Sequence, residues 1–312
     1  MYFPQPPAMQ EMRIFSRLPD RFRSPARTDW SEANRAGQPA DSFLEGPVFD
    51  QAGNLYVCDI LLGRIFRVRT DGDWTLVVQY DGEPNGLKFL DEHHLIAADY
   101  RRGLMRIDVR DGSVESHLSR RHSESFRGLN DLVFDSAGNL YFTDQGQSGL
   151  HDPAGRLFRL QPDGKLDVLL DGIPSPNGVC LSADEKVLFL AVTRANAVWR
   201  VPLMSDGGVA KVGLFFSSYG PAGPDGLAMS RDGALLVANP GLGYVWILNK
   251  RAEPTHVLRS PDGLSLTNLA FGGHDRKTLF CTESSTGTIL QAQLEFEGLP
   301  IATRSSSFPK IL

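Results

Sequence analysis

A hairpin-sized phrase recurs six times along this chain and leaves few folds open to it. Its clearest copy runs from Pro224 to Asn239. A polar residue and a glycine (Asp225-Gly226) lead into Leu227-Ala228-Met229, then a turn at Asp232-Gly233, then a second apolar run from Leu235 to Ala238. Two short strands joined by an Asp-Gly loop give this pattern, because glycine tolerates the positive φ such loops need. Aligning the copies puts Glu45, Asn85, Asn130, Asn177, Asp225 and Thr267 in one phase, at steps of 40, 45, 47, 48 and 42 residues. A period of roughly 40–50 residues built from short strands marks a β-propeller with one blade per period. The expected fold is all-β: a six-bladed β-propeller of four-stranded antiparallel blades around a central channel, its inner strands beginning near residues 46, 86, 131, 178, 226 and 268.

Each period supplies the two outer strands as well. In the first, Arg64 to Val68 and Trp74 to Val78 flank a turn at Thr70-Asp71-Gly72. No helical periodicity emerges in any window. Residues 1–11, rich in proline at their start, are expected to be disordered, and 12–312 to form a single domain. The run Met12-Arg13-Ile14-Phe15-Ser16 reads as the outermost strand of the last blade, donated by the opposite end of the chain so that no sheet edge stays open. Residues 19–43 read as an insertion before the first inner strand, long enough to serve as a lid. Its Phe22 and Trp30 are available as an apolar cover.

Composition narrows the function. Hydrophobic residues make up 41% of the 312, and 18 are Phe, enough for a large core. The net charge of −5 provides no basic field, which argues against nucleic acid or an acidic membrane as partner. No run approaches the roughly 18 apolar residues of a membrane span, and the first residues carry no signal-peptide core. A cytoplasmic protein is expected. Cys58, Cys180 and Cys281 all fall inside apolar strand runs and read as buried free thiols. There is no Gly-x-Ser-x-Gly nucleophile motif, no nucleotide-binding glycine loop and no metalloprotease histidine spacing.

The first strand of each propeller blade lines the channel, so the six phased residues form a ring of Glu, Asn, Asn, Asn, Asp and Thr around the axis. Their neighbours one and two residues on read as glycine or apolar, which makes the ring position polar against its background. Hard oxygen ligands converging from several strands suit Ca²⁺, and two carboxylates would neutralise a divalent cation. The lack of a close His/Cys constellation disfavours Zn²⁺, with Mg²⁺ and Mn²⁺ as further alternatives.

Glu45-Gly46-Pro47, Asn130-Asp131, Pro176-Asn177-Gly178 and Pro224-Asp225-Gly226 together resemble the gluconolactonase family, also called the regucalcin or senescence-marker-protein family, across about residues 45–300. That resemblance implies a six-bladed propeller with a divalent metal, usually calcium, at one end of the channel, and hydrolysis of lactones. It implies that Glu45, Asn177 and Asp225 ligate the metal. Asn130 would either ligate directly or hold a metal-bound water and substrate, Asn85 would join it in substrate binding, and Asp225 would be the catalytic acid/base. The partner implied is a small-molecule lactone or related cyclic substrate.

The chain departs from the family at one place. Sugar-lactone members carry an Arg two residues before the motif Asn, where this chain has Gly128, and strand alternation turns Arg127 to the other side. A lactone less hydroxylated than gluconolactone is the expected substrate. Two other functions stay open at this level: a non-catalytic propeller that binds calcium or a partner protein, and an enzyme of the strictosidine-synthase-like kind, since fold alone does not choose chemistry.

Overall fold

Each of the six periods folds into one antiparallel sheet, and a computed structural model that describes residues 5–300 sets the six sheets in a ring. The inner strands are Leu44–Phe49, Pro84–Phe89, Leu129–Phe134, Pro176–Leu181, Leu227–Met229 and Leu266–Gly272. In blade one the order outward is Leu44–Phe49, Leu55–Asp59, Arg64–Val68 and Trp74–Gln79, and in blade three Leu129–Phe134, Leu140–Asp144, Gly155–Leu160 and Leu166–Ile173. The expected six-bladed propeller is the fold observed.

The core lies between blades, because each sheet buries both faces against its neighbours. Between blades one and two, Val48, Tyr56, Cys58 and Ile65 meet Leu87 and Leu95. Between blades six and one, Phe280 and Ile289 meet Leu44, Phe49 and Phe66. Phe66, Phe142 and Phe158 are fully buried, each worth about 1.5–3 kcal/mol of transfer free energy. The three cysteines are buried and unpaired, as read from the sequence.

Five of the inner strands share an irregularity that matters for function. The register slips between Glu45 and Val48, Pro84 and Gly86, Leu129 and Leu132, Pro176 and Val179, and Leu266 and Asn268. A bulge re-aims the side chain at which it occurs, and each one falls on or beside the repeated polar position. In blade five the equivalent Asp225-Gly226 lies just ahead of a shorter strand, held by Asp225 N–H donating to Ala238 O at 2.9 Å.

The second strand of most blades ends in a buried polar residue: Asp59, Asp99, Asp144, Asn239 and Glu283. Four of these are carboxylates that tie down the segment entering an inner strand. Asp99 accepts from Glu83 N–H, Arg101 N–H and Arg102 N–H, each at 2.9 Å. Asp144 accepts from Arg127 N–H and Gly128 N–H at 2.8 Å, Asp59 from Phe43 N–H, and Glu283 from Ser265 N–H. One end of the channel is thereby walled by rigid loops.

The other end is apolar. A cavity of about 460 Å³ there is lined by Phe49, Phe89, Phe134, Leu181 and Phe271, with Lys88 among them.

Ring closure follows the expected route and adds to it. Arg13–Arg17 pairs antiparallel with Thr288–Gln293 as the outer strand of blade six. The expectation of disorder over 1–11 is corrected: Ala8–Glu11 is a strand, paired parallel with Pro254–Arg259 as a fifth strand of blade five. All four of its side chains are exposed, so no apolar alternation announced it. Its backbone pairing and the buried Met12, whose N–H donates to Arg259 O at 2.9 Å, hold it in place. Residues 1–4, and 301–312 of the expected domain 12–312, lie outside the described residues.

The insertion at 19–43 contains a short α-helix, Asp29–Arg35, where the sequence was read as helix-free. Seven residues are too few to show a period, but Thr28 and Ser31 form a reciprocal capping box at its start. Trp30 packs on Phe43, with ring centroids 4.6 Å apart, and on Ile60 and Leu61; Phe22 packs on Phe66. Both rings anchor the insertion to blade one and are not free to cover the channel. Among the described residues no helix is long and apolar enough to cross a membrane.

Removing residues 1–17 strips the outer strand from blade six and the added strand from blade five. The expected outcome is a lower melting temperature and concentration-dependent association through the freed edges. Scanning calorimetry and size-exclusion chromatography check it, and an unchanged monomer with an unchanged transition would show that closure lies elsewhere.

Candidate active site

At the polar end of the channel the repeated position brings carboxylates together in a buried setting. Glu45 is 3% exposed, and its Oε2 accepts from Gly46 N–H and from the Asn268 side-chain amide, both at 2.9 Å. Burial raises its pKa to about 7 against the pull of those two hydrogen bonds, with the Asp131 charge adding to the rise. Asp225 retains some solvent access yet is packed round by protein, as befits a group on a narrow channel wall. Its pKa is pushed well above the ordinary carboxylate value by burial first, then by Glu45 and Asp131, while the Asn177 side chain and the Arg194 guanidinium favour its charge.

Asn177 is 6% exposed, and its buried Oδ1 has no hydrogen-bond partner among the described residues. A buried carbonyl oxygen without a donor is costly, and this side chain meets Asp225, a carboxylate whose negative charge burial disfavours. Hard oxygens of this kind are the donor chemistry that suits a hard cation. Among the described residues no group of three or more His, Cys, Asp or Glu is arranged to hold a metal. A cation here would therefore take two acids, amide oxygens and water, and the set is poor in the nitrogen and sulfur ligands that zinc favours.

Asn130 is 5% exposed and donates its side-chain amide to Gln145 Oε1 at 3.0 Å; Gln145 in turn donates to Ser175 Oγ at 2.9 Å. With its donor end so engaged, Asn130 keeps its oxygen as an acceptor. Asn85 is 7% exposed in the inner strand of blade two, and no hydrogen bond of its side chain is formed among the described residues. The Thr267 hydroxyl donates to Leu44 O at 3.2 Å, meets the Thr282 and Ser284 hydroxyls, and also favours the charge of Glu45. In blade six the next residue, Asn268, donates its side-chain amide to Glu45 as well.

The expectation that the next position is always glycine or apolar is thus corrected at two blades. Asp131 and Asn268 occupy it, and each fits because a neighbour is glycine. A Cβ on Gly86 would lie 2.8 Å from Asp131 Oδ1, and one on Gly226 would lie 2.3 Å from Asn268 Oδ1. Asp131 is 4% exposed and accepts from Leu132 N–H at 2.8 Å and Val179 N–H at 3.4 Å. Its pKa is raised by burial and eased by the Lys88 charge. It is a third acid of the site, legible in the sequence as the Asp that replaces glycine in Asn130-Asp131.

A fourth carboxyl was also missed. Glu83, two residues before Asn85, is 7% exposed and makes no side-chain hydrogen bond among the described residues. Burial raises its pKa to about 7 against the opposing charge of Arg101, with Asp99 and Asp29 reinforcing the rise. The Asp29 effect places the start of the insertion helix near this loop.

The departure at Gly128 has a structural basis. A Cβ there would come within 2.5 Å of the Tyr100 ring, so Tyr100 fills the space of any longer side chain. Arg127 is committed to Ala154 O and lies near Glu124, so it does not stand in.

Comparison with known proteins gives a consistent picture. Residues 43–285 match the family described as the SMP-30/Gluconolactonase/LRE-like region. Lactonase drp35 of Staphylococcus haemolyticus is 33% identical over 230 residues, 70% of each chain, and lactonase drp35 of Staphylococcus epidermidis strain ATCC 12228 is 31% identical over 256 residues, 77% of this chain and 78% of the relative. Among solved structures, the calcium-binding protein regucalcin of Agrobacterium tumefaciens superposes with a TM-score of 0.77 at 21% identity, over 95% of this chain and 98% of that one. A gluconolactonase of Xanthomonas campestris gives 0.71 at 22%, over 81% and 86%. These two show the shared fold.

In the cation-free protein, folding raises the pKa of Glu45 from near 4.5 to about 7. The folded state then holds a proton that the unfolded state releases, so stability falls as pH rises through that window, by up to roughly 3 kcal/mol. Asp131 and Asp225 act in the same direction. The melting temperature of chelator-treated protein should drop between about pH 5 and 8, and Glu45→Gln should flatten that slope. Calorimetry with Ca²⁺ should find Glu45→Gln binding much weaker; an unchanged affinity would remove Glu45 from the ligand set.

Proposed function

The chain belongs to the SMP-30/gluconolactonase/LRE-like family, and from that premise we propose that it is a divalent-metal-dependent lactonase. One observation carries the reading: among the described residues Asn177 Oδ1 is left buried without a partner, on a side chain that meets Asp225, whose carboxyl in turn feels Glu45. That arrangement suits a bound cation, and the lactonase relatives support a hydrolytic use of it over a scaffold that only binds one.

Glu45, Asn177 and Asp225 would hold the cation, with Asn130 directly or through a water; oxygen donors suit Ca²⁺, Mg²⁺ or Mn²⁺ better than Zn²⁺, and Ca²⁺ is the ion proposed. When bound, it supplies positive charge against the lactone carbonyl oxygen. Asp225 accepts a proton as the water oxygen bonds to the acyl carbon. The ring C–O bond then breaks, and Asp225 returns that proton to the departing alkoxide oxygen. The product is an open-chain hydroxy acid, whose carboxyl proton passes to solvent. Burial and the neighbouring acids make Asp225 a stronger base than an exposed carboxylate, and this offsets the weakening that a nearby cation imposes. Asn130, steadied by Gln145, and Asn85 orient the substrate. Glu83 is placed to meet a substrate hydroxyl at the mouth, which the insertion at 19–43 borders.

The substrate is proposed to be less hydroxylated than gluconolactone. Tyr100 occupies the place where sugar-lactone members carry an Arg, and a missing donor costs most of a site's discrimination for hydroxyls.

A pH-drop assay over a lactone panel, with and without chelator, tests the reading. Activity should require the cation, and kcat/KM for a simple alkyl or aryl lactone should equal or exceed that for gluconolactone. Asp225→Asn at saturating Ca²⁺ should lose at least about 100-fold in kcat. Full recovery at saturating cation would leave Asp225 only a ligand.

A further inference from the structure

The arginines around the polar end of the channel are nearly all spoken for. Arg17 pairs with Asp262 at 2.6 Å, Arg23 with Asp41 at 3.0 Å, Arg64 with Asp59 at 2.6 Å and Arg156 with Asp144 at 2.6 Å, while Arg101 and Arg102 share Asp81. Arg194 is different. It is exposed, and among the described residues its side chain makes neither an ion pair nor a hydrogen bond.

The backbone that carries it is nonetheless fixed by its neighbours. Arg194 is the middle residue of a one-turn 3-10 segment, Thr193–Ala195, that follows the second strand of blade four. Thr193 Oγ1 donates to Pro224 O at 2.8 Å, and a Cβ on Gly223 would lie 2.0 Å from Thr193 O. The turn is therefore locked onto the segment that delivers Asp225, and the Arg194 charge is felt by the Asp225 carboxyl. On the other side stands the turn of blade three, where a Cβ on Gly149 would meet His151 Nδ1 at 3.1 Å and Arg194 Cγ at 3.9 Å.

The three acids of the site, Glu45, Asp131 and Asp225, offer an anionic ligand no donor beyond whatever cation they hold, so an unengaged guanidinium on the turn beside Asp225 changes which ligands can enter. Its planar fork matches a carboxylate with two parallel hydrogen bonds. We propose that Arg194 is a specificity-determining residue that receives a carboxylate carried by the substrate, so that the site prefers lactones of hydroxy-dicarboxylic acids over neutral lactones. This rests on the lactonase reading and names the substrate class for it. The carboxylate would bind away from the scissile ester, and Arg194 takes no part in bond making.

The test compares a γ-lactone bearing a free carboxylate with its carboxamide, using wild type, Arg194→Gln and Arg194→Lys, each loaded with Ca²⁺. The ratio of kcat/KM for carboxylate over carboxamide should fall about tenfold or more in Arg194→Gln, mainly through KM, with Arg194→Lys in between. Added salt should shrink the wild-type preference. An unchanged ratio overturns the proposal, and so does an equal loss for both substrates, which would make Arg194 a counter-charge for Asp225 alone. If wild type opens neither lactone, the hydrolase reading fails separately. Calorimetry with the ring-opened hydroxy-dicarboxylate then decides the anion site: weaker binding to Arg194→Gln upholds it, and equal binding overturns it.

Discussion

The centre of this propeller depends on how closely its inner strands approach one another. A Cβ at Gly46 would lie 2.1 Å from Asn85 O, and one at Gly178 would lie 2.3 Å from Asp225 O. No side chain fits there. Where the next blade presents a side chain instead of bare backbone, the glycine yields its space to a functional group: Gly86 to Asp131 and Gly226 to Asn268. Backbone crowding and site chemistry are thus one arrangement. The bulges beside these positions aim the adjacent polar residues, and the glycines set the distance across which they act.

That narrow geometry has an electrostatic consequence. Glu45, Asp131 and Asp225 are drawn into a space with few counter-charges: burial and then Asp131 raise the pKa of Glu45, and burial, Glu45 and Asp131 raise that of Asp225. The fold tolerates this because it is braced elsewhere. Asp59, Asp99, Asp144 and Glu283 each accept backbone N–H groups of the loop entering an inner strand. These buried acids are satisfied, and they hold rigid the loops from which the unsatisfied ones are presented. Two rings of polar residues, similar in composition, therefore do opposite things: one fastens the structure and the other stores unfavourable charge.

The architecture was open to reading because the period is carried by residues that the fold cannot exchange freely, the glycine beside each polar ring position and the apolar strand that follows. The ring assignments of Glu45, Asn130, Asn177 and Asp225 came from the same phase. What escaped did so for identifiable reasons. Ala8–Glu11 exposes every side chain and is held by its backbone, so it had no pattern to show. Asp131 was passed over because the position after each ring residue reads as glycine or apolar in most copies, and Asn130-Asp131 is an exception inside a strand. Thr267 held the phase in blade six, where the bulge brings the next residue, Asn268, to Glu45 as well. Glu83 belongs to no repeat, since the equivalent places in other blades are Phe43, Gly128, Ser175, Gly223 and Ser265.

The closure of the ring by residues 8–17 also imposes an order in time. Arg13 pairs with Gln291 and Ala8 with His256, so strands made before blade one wait for partners made in blades five and six. Until the sixth blade emerges, the growing arc presents a raw blade face at its advancing end and carries the first strands unpaired. Contacts so distant in sequence form slowly, and exposed sheet surface in the interval invites association with other chains. The same pairing that seals the finished molecule makes its synthesis the most vulnerable period of its existence.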